Sequence, residues 1–157
     1  MNVLAWLFWG FIATIVLTTM MAGAQSLRLT RMNIPYLLGT MLTPDRDRAK
    51  LFGFFAHLAA GWTFSFFYVA AFQLWGTATP WLGLLAGFVH ASFVLVAGFP
   101  TLPAIHRRMA SPFAGPTELR QLEAPGFMGL HYGYQTPLST YLSHLVYGAI
   151  LGGFYPL

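Results

Sequence analysis

SHLVYGAILGGFY, residues 143–155, read beside AHLAAGWTFSFFY, residues 56–68, decides the fold. Each carries a histidine, a glycine one helical turn on, a small residue after the next turn, and then a tyrosine. The two sets are His57, Gly61, Ser65, Tyr68 and His144, Gly148, Gly152, Tyr155. At 3.6 residues per turn these positions stack on one side of an α-helix, so each stretch predicts an apolar helix with one polar and small-residue stripe. Its occurrence twice predicts that the chain is built from a repeated unit.

The composition places that unit in a bilayer. Charged residues make up 8% of the 157 and hydrophobic ones 57%, against roughly 25% charged in an ordinary soluble domain. From Leu51 to His106 there is no Lys, Arg, Asp or Glu, and none follows Glu123. Both tracts exceed the roughly 20 apolar residues that cross hydrocarbon. Cysteine is absent, which excludes disulfides, thiolate metal sites and cysteine nucleophiles. The first apolar run lacks a basic leader and is too long for a signal-peptide core, so it reads as a retained helix.

Breaking the apolar runs at Gly, Pro and charge predicts four spans, at 3–25, 51–75, 81–99 and 138–154. Thr43-Pro44 and Thr136-Pro137 read as hydroxyl caps followed by Pro at the first helical position. A broken apolar piece at 34–42 reads as a short interfacial helix. The third loop, with Pro103, Pro112, Pro116 and Pro125, reads as extended segments and turns. All eight basic residues fall in two loops: Arg28, Arg31, Arg46, Arg48 and Lys50 in one, Arg107, Arg108 and Arg120 in the other. The positive-inside rule puts those loops in the cytoplasm and both termini outside. The net charge of +4 thus reads as headgroup anchoring, with Arg46, Arg48, Lys50, Arg107 and Arg108 at the lipid interface, and not as a nucleic-acid surface. Tyr68 and Tyr155 read as members of an outer aromatic belt, with Trp62, Trp75, Trp81 and Tyr147 as further membrane aromatics.

The repeat extends beyond the two histidine helices. Gly10-Phe11-Ile12 matches Gly87-Phe88-Val89, Arg31-Met32 matches Arg108-Met109, and Pro35 matches Pro112. The fold expected is all-α, a four-transmembrane-helix bundle forming one integral domain. It consists of two tandem hairpins, residues 1–75 and 81–157, related by a pseudo-two-fold axis along the membrane normal. In lipid, helices associate through close backbone approach and buried polar contacts. The expected packing ridges are Gly10, Thr14 and Thr18 on the first helix, Gly61 and Ser65 on the second, Gly83, Gly87 and Ala91 on the third, and Gly148 and Gly152 on the fourth.

Both repeat histidines lie about 9 Å inside the cytoplasmic boundary at 1.5 Å per residue, and intramembrane histidines belong on the protein side. One reading has each ring donate its N–H to a neighbouring helix, at Thr14, Thr18 or a carbonyl, and so pin the bundle. The other has His57 and His144 coordinate one ligand, such as a haem b iron between glycine-lined helices. His90, matched to Ala13 in the repeat, would be a third metal ligand beside them, although zinc wants three or four convergent donors. His106 and His131 fall in a loop and suggest nothing specific, and the methionines read as gap-fillers.

The runs LLGT at 37–40, TPDRDRAK at 43–50 and LEAPGF at 122–127, with the two His-x-x-x-Gly helices, resemble a group of small bacterial inner-membrane proteins with four predicted helices. The resemblance implies a bacterial cytoplasmic membrane setting and supplies no catalytic residues, since the group has no established activity. No span carries a carboxylate or lysine, so the expectation is a non-enzymatic protein. It would be an accessory, assembly or structural subunit whose partners are the bilayer and other integral subunits or further copies of itself. The alternatives are a haem- or metal-binding electron-transfer protein using His57 and His144, or a small-solute transporter relying on histidine.

Overall fold

A computed structural model describes residues 1–111 and 113–157; Pro112, the expected repeat partner of Pro35, lies outside the described residues. The chain is all-α, with six α-helices among the described residues: α1 Val3–Ser26, α2 Ile34–Leu42, α3 Arg46–Trp75, α4 Pro80–Phe93, α5 Phe99–Ile105 and α6 Thr136–Phe154. Among the described residues extended pairing is limited to one bridge, Met109 with Leu122. A π-turn, Val94–Gly98, joins α4 to α5 without a break, and a 3₁₀ turn, Phe127–Tyr132, precedes α6. Three helices are long and apolar enough to cross a membrane, Val3–Ser26, Arg46–Trp75 and Pro80–Ile105. They make this a multi-pass membrane protein.

Local chemistry sets the boundaries, and two differ from expectation. The cap of α3 is Asp45, whose carboxylate accepts from Arg48 N at 2.8 Å, in place of Thr43. Before α6 the cap position is Gln135, which caps nothing, while Thr136 Oγ1 lies 2.7 Å from Thr30 Oγ1. Gly76 ends α3 in the left-handed region at φ 68°. That conformation suits glycine and closes a tight turn into α4. The third span runs on past residue 99 to Ile105. Pro100 has no N–H to return to Val96, and the widened π-turn sits directly before it, a usual way to absorb a proline inside a helix.

The expected fourth helix, α6, is present but is not among the helices apolar enough to be candidate spans. Its Thr136, Thr140, Ser143 and His144 are all buried, because α6 packs between α1 and α4 at the centre of the molecule. It runs antiparallel to α1 over nearly its whole length. Thr136 meets Thr30 at one end, and at the other the Phe154 ring stacks on Trp9 at 4.8 Å while Asn2 N donates to Tyr155 Oη at 2.8 Å.

Small residues set two helix seams. A methyl added to Gly61 would overlap Thr14, and one on Gly10 would lie 2.6 Å from Ser65 Oγ, so α1 and α3 touch there. In the α4–α6 seam, added methyls on Gly83, Gly87, Gly148 and Gly152 would overlap backbone carbonyls across the contact. The expected glycines, with Thr14 and Ser65, are at these seams, and Ala91 is buried. Their register differs from the expected repeat, however. Gly10 meets Ser65, whereas Gly152, the counterpart of Ser65, meets Gly83 and not Gly87. The contacts therefore equate Gly10 with Gly83, Thr14 with Gly87 and Leu17 with His90, a slip of one helical turn.

The two charged loops and α2 form a layer across one end. Close approach of Gly39 to Ala49 and of Gly53 to Pro35 seats α2 on the start of α3. His106 is buried, contrary to its expected place in a solvated loop. Its Nε2 lies 3.0 Å from Leu37 O and 3.1 Å from Thr40 Oγ1, which fastens the third loop to α2. Arg108, expected at headgroups, instead donates to Thr40 O at the C-terminal end of α2. Arg46, Arg48, Lys50 and Arg107 are exposed as expected.

Candidate functional site

Four helices converge midway along the bundle on a histidine cluster. His57 and His144 are buried, at 8% and 5% exposure, so both rings point inward from their stripes. Thr18 on α1 lies 2.9 Å from His57 Nδ1 on α3, and its hydroxyl also lies 2.8 Å from Thr14 O. A hydroxyl has one proton; when it goes to Thr14 O, His57 Nδ1–H donates to the Thr18 oxygen. This is the helix-pinning bond expected from the sequence, with the partner among those expected.

His144 does not reproduce it. Its Nδ1 donates to Thr140 O in its own helix at 2.8 Å. At the position equivalent to Thr18 the third span has Ala91, which offers no hydroxyl. His144 instead packs edge-on against His90, ring centroids 4.7 Å apart. The ring neighbour of His144 is thus His90 and not its repeat partner.

His90 is held among aromatic rings. Phe64 stacks on it at 4.0 Å, and Tyr68 Oη lies 3.1 Å from its Nδ1. Tyr68 is buried at 5% exposure, and so is Tyr155 at 4%; neither belongs to the expected aromatic belt. Tyr147 is fully buried as well, and its hydroxyl donates to Gly61 O at 2.6 Å, tying α6 to α3. Nearer the N-terminus, Trp6 Nε1 donates to Ser65 Oγ at 2.9 Å and Trp62 Nε1 to Leu7 O at 2.8 Å. Each indole N–H bonds α1 to α3, so Trp62 is also a joint between helices.

An interior cavity of about 140 Å³ borders His57, His90, His144, Thr140 and Gly61. At about 30 Å³ per water it accommodates a few solvent molecules, and it leaves no room for a flat macrocycle between His57 and His144. The three rings do not form a metal centre either: among the described residues no group of three His, Asp or Glu could hold one ion. The expected haem b and metal sites at His57, His90 and His144 do not fit this geometry.

No family model, curated protein or solved structure matches this chain.

A second opening faces outward. The ring of helices runs α3, α1, α6, α4, and its fourth seam, between α4 and α3, is hardly packed. There a groove of about 580 Å³ is lined by Phe64, Phe67, Tyr68, Ala86, Val89 and His90, among others. His90 borders both groove and interior cavity. Sequence reasoning placed His90 in a span but missed its contact with Tyr68 and the groove. Tyr68 carried one signal, a hydroxyl on the same stripe as His57, and the belt reading absorbed it.

Proposed function

We propose that this protein is a non-enzymatic integral membrane module, an accessory or assembly subunit of a larger complex in the bacterial cytoplasmic membrane. It would cross four times as two tandem hairpins, both termini outside and the charged layer in the cytoplasm. One observation carries the reading: four polar side chains inside the bundle join one helix to another. His57 to Thr18, Tyr147 to Gly61, Trp6 to Ser65 and Trp62 to Leu7 each bond one helix to another. An enzyme would keep a nucleophile with its base, or an acid paired with a base, free to face substrate.

The antiparallel course of α6 along α1 supports the fourth crossing, because a helix coextensive with a span must reach the same depths. The matched small-residue seams, Gly10 and Thr14 against Ser65 and Gly61, Gly83 and Gly87 against Gly152 and Gly148, support the tandem hairpins. The placement of every Lys and Arg in the two charged loops or the first turns of α3, all at one end, supports the orientation. Release in mild detergent followed by native mass measurement tests the subunit reading. A complex heavier than the 17.4 kDa chain, containing other integral subunits or further copies, is expected; a lone monomer with no co-purifying protein overturns it.

A further inference from the structure

We infer that the groove between α3 and α4 is a binding site for an uncharged lipid-phase molecule with a flat, carbonyl-bearing head, of the quinone class, held through that carbonyl by His90. This goes beyond the subunit reading and does not depend on it.

The groove opens where lipid would lie, and its volume of about 580 Å³ falls in the range of small-molecule sites. A crease meant for acyl chains would be apolar throughout. This one instead ends on a histidine, which is costly at membrane depth unless its polar atoms are used. Tyr68 accounts for one of them. Its hydroxyl has no other partner among the described residues, so its single proton goes to His90 Nδ1. With Tyr68 as the donor, the proton of a neutral His90 lies on Nε2, which has no partner among the described residues. His90 is therefore a hydrogen-bond donor awaiting an acceptor.

Depth and shape narrow the ligand. His90 is ten residues into α4, about 15 Å from the outer end at 1.5 Å per residue. A phospholipid's charged head stays at the surface, whereas a neutral carbonyl can reach that depth. Phe64, stacked on His90 at 4.0 Å, Phe93 and Phe67 give flat walls for a conjugated ring. Ala71, Ala86 and Trp75 line the same groove, an apolar surface along which an alkyl tail would lie.

The test uses the full chain in lipid nanodiscs and a decyl-tailed benzoquinone as probe, followed by quenching of tryptophan fluorescence. Saturable binding is expected, weakened at least tenfold by His90→Phe, retained within a few-fold by His90→Gln, which keeps an N–H donor, and abolished by Ala86→Trp, which fills the groove. Leu4→Trp, on exposed α1 surface, serves as the control and leaves binding unchanged. Decylbenzene, which has the tail and no carbonyl, is expected not to compete. Linear, non-saturable quenching overturns the inference, as does equal binding by folded His90→Phe or full competition by decylbenzene. Should His90→Phe fail to fold, Ala86→Trp and the decylbenzene competition decide the question by the same criteria.

Discussion

At the scale of single residues, position on the stripe matters more than residue type. Gly148 and Gly23 both lie in helices, yet a methyl on Gly148 would overlap Gly83 O while one on Gly23 would meet nothing within 4 Å. Gly148→Val is expected to cost about 1–3 kcal/mol through overpacking. Gly23→Ala is expected to be neutral or to stabilise slightly, by up to about 1 kcal/mol. Thermal unfolding in detergent separates the two, and equal melting temperatures would contradict the seam. The His57–Thr18 bond predicts a coupling of about 0.5–1.5 kcal/mol in a double-mutant cycle of His57→Leu and Thr18→Val; strictly additive losses would mean that the bond contributes nothing. Outside the spans, Tyr132 is pushed up to about 12 by burial, then by Glu123, with Arg31 opposing. Its folded-state value thus exceeds the ordinary value near 10, and the folded state holds the proton longer. The stability it contributes is complete below about pH 10 and is lost as pH rises toward 12. Melting curves from pH 9 to 12 should show a steeper alkaline decline in the wild type than in Tyr132→Phe.

At the scale of elements, α6 shows how a helix can be too polar by composition to stand out as a span and still sit at the centre. Thr136, Thr140, Ser143 and His144 lower its hydropathy, and all face protein. Because the chain has no cysteine, single cysteines give a direct check of its course. Tyr134→Cys is expected to react with a membrane-impermeant thiol reagent only from the cytoplasmic side, and Leu157→Cys only from the outer side. Labelling of both from one side would remove the fourth crossing. The course of α4 through the π-turn into α5 was not legible in the sequence, where the span was expected to end at residue 99, before Pro100. A proline stops a helix only if the backbone cannot widen around it, and here it does.

At the scale of the whole molecule, the α1–α3 and α4–α6 pairs are joined along α1 and α6, while α3 and α4 are linked by a short turn and little packing. Cutting the chain in that turn should therefore leave the halves associated. Residues 1–76 and 77–157, co-expressed, are expected to co-purify through the α1–α6 seam, and their failure to do so would place the joint elsewhere. By itself the sequence determined the apolar setting, the three long apolar helices, the inward turn of His57 and His144, and the small residues that let backbones touch. These follow from local hydropathy and the 3.6-residue period, which act within one helix. Tertiary structure alone decided which turn of one helix meets which turn of the next, and with it the partner of each histidine. It also decided which tyrosines are buried and which seam stays open. Two glycine ridges can mesh at successive turns with nearly the same local pattern, so only the packing of all the helices together selects the register.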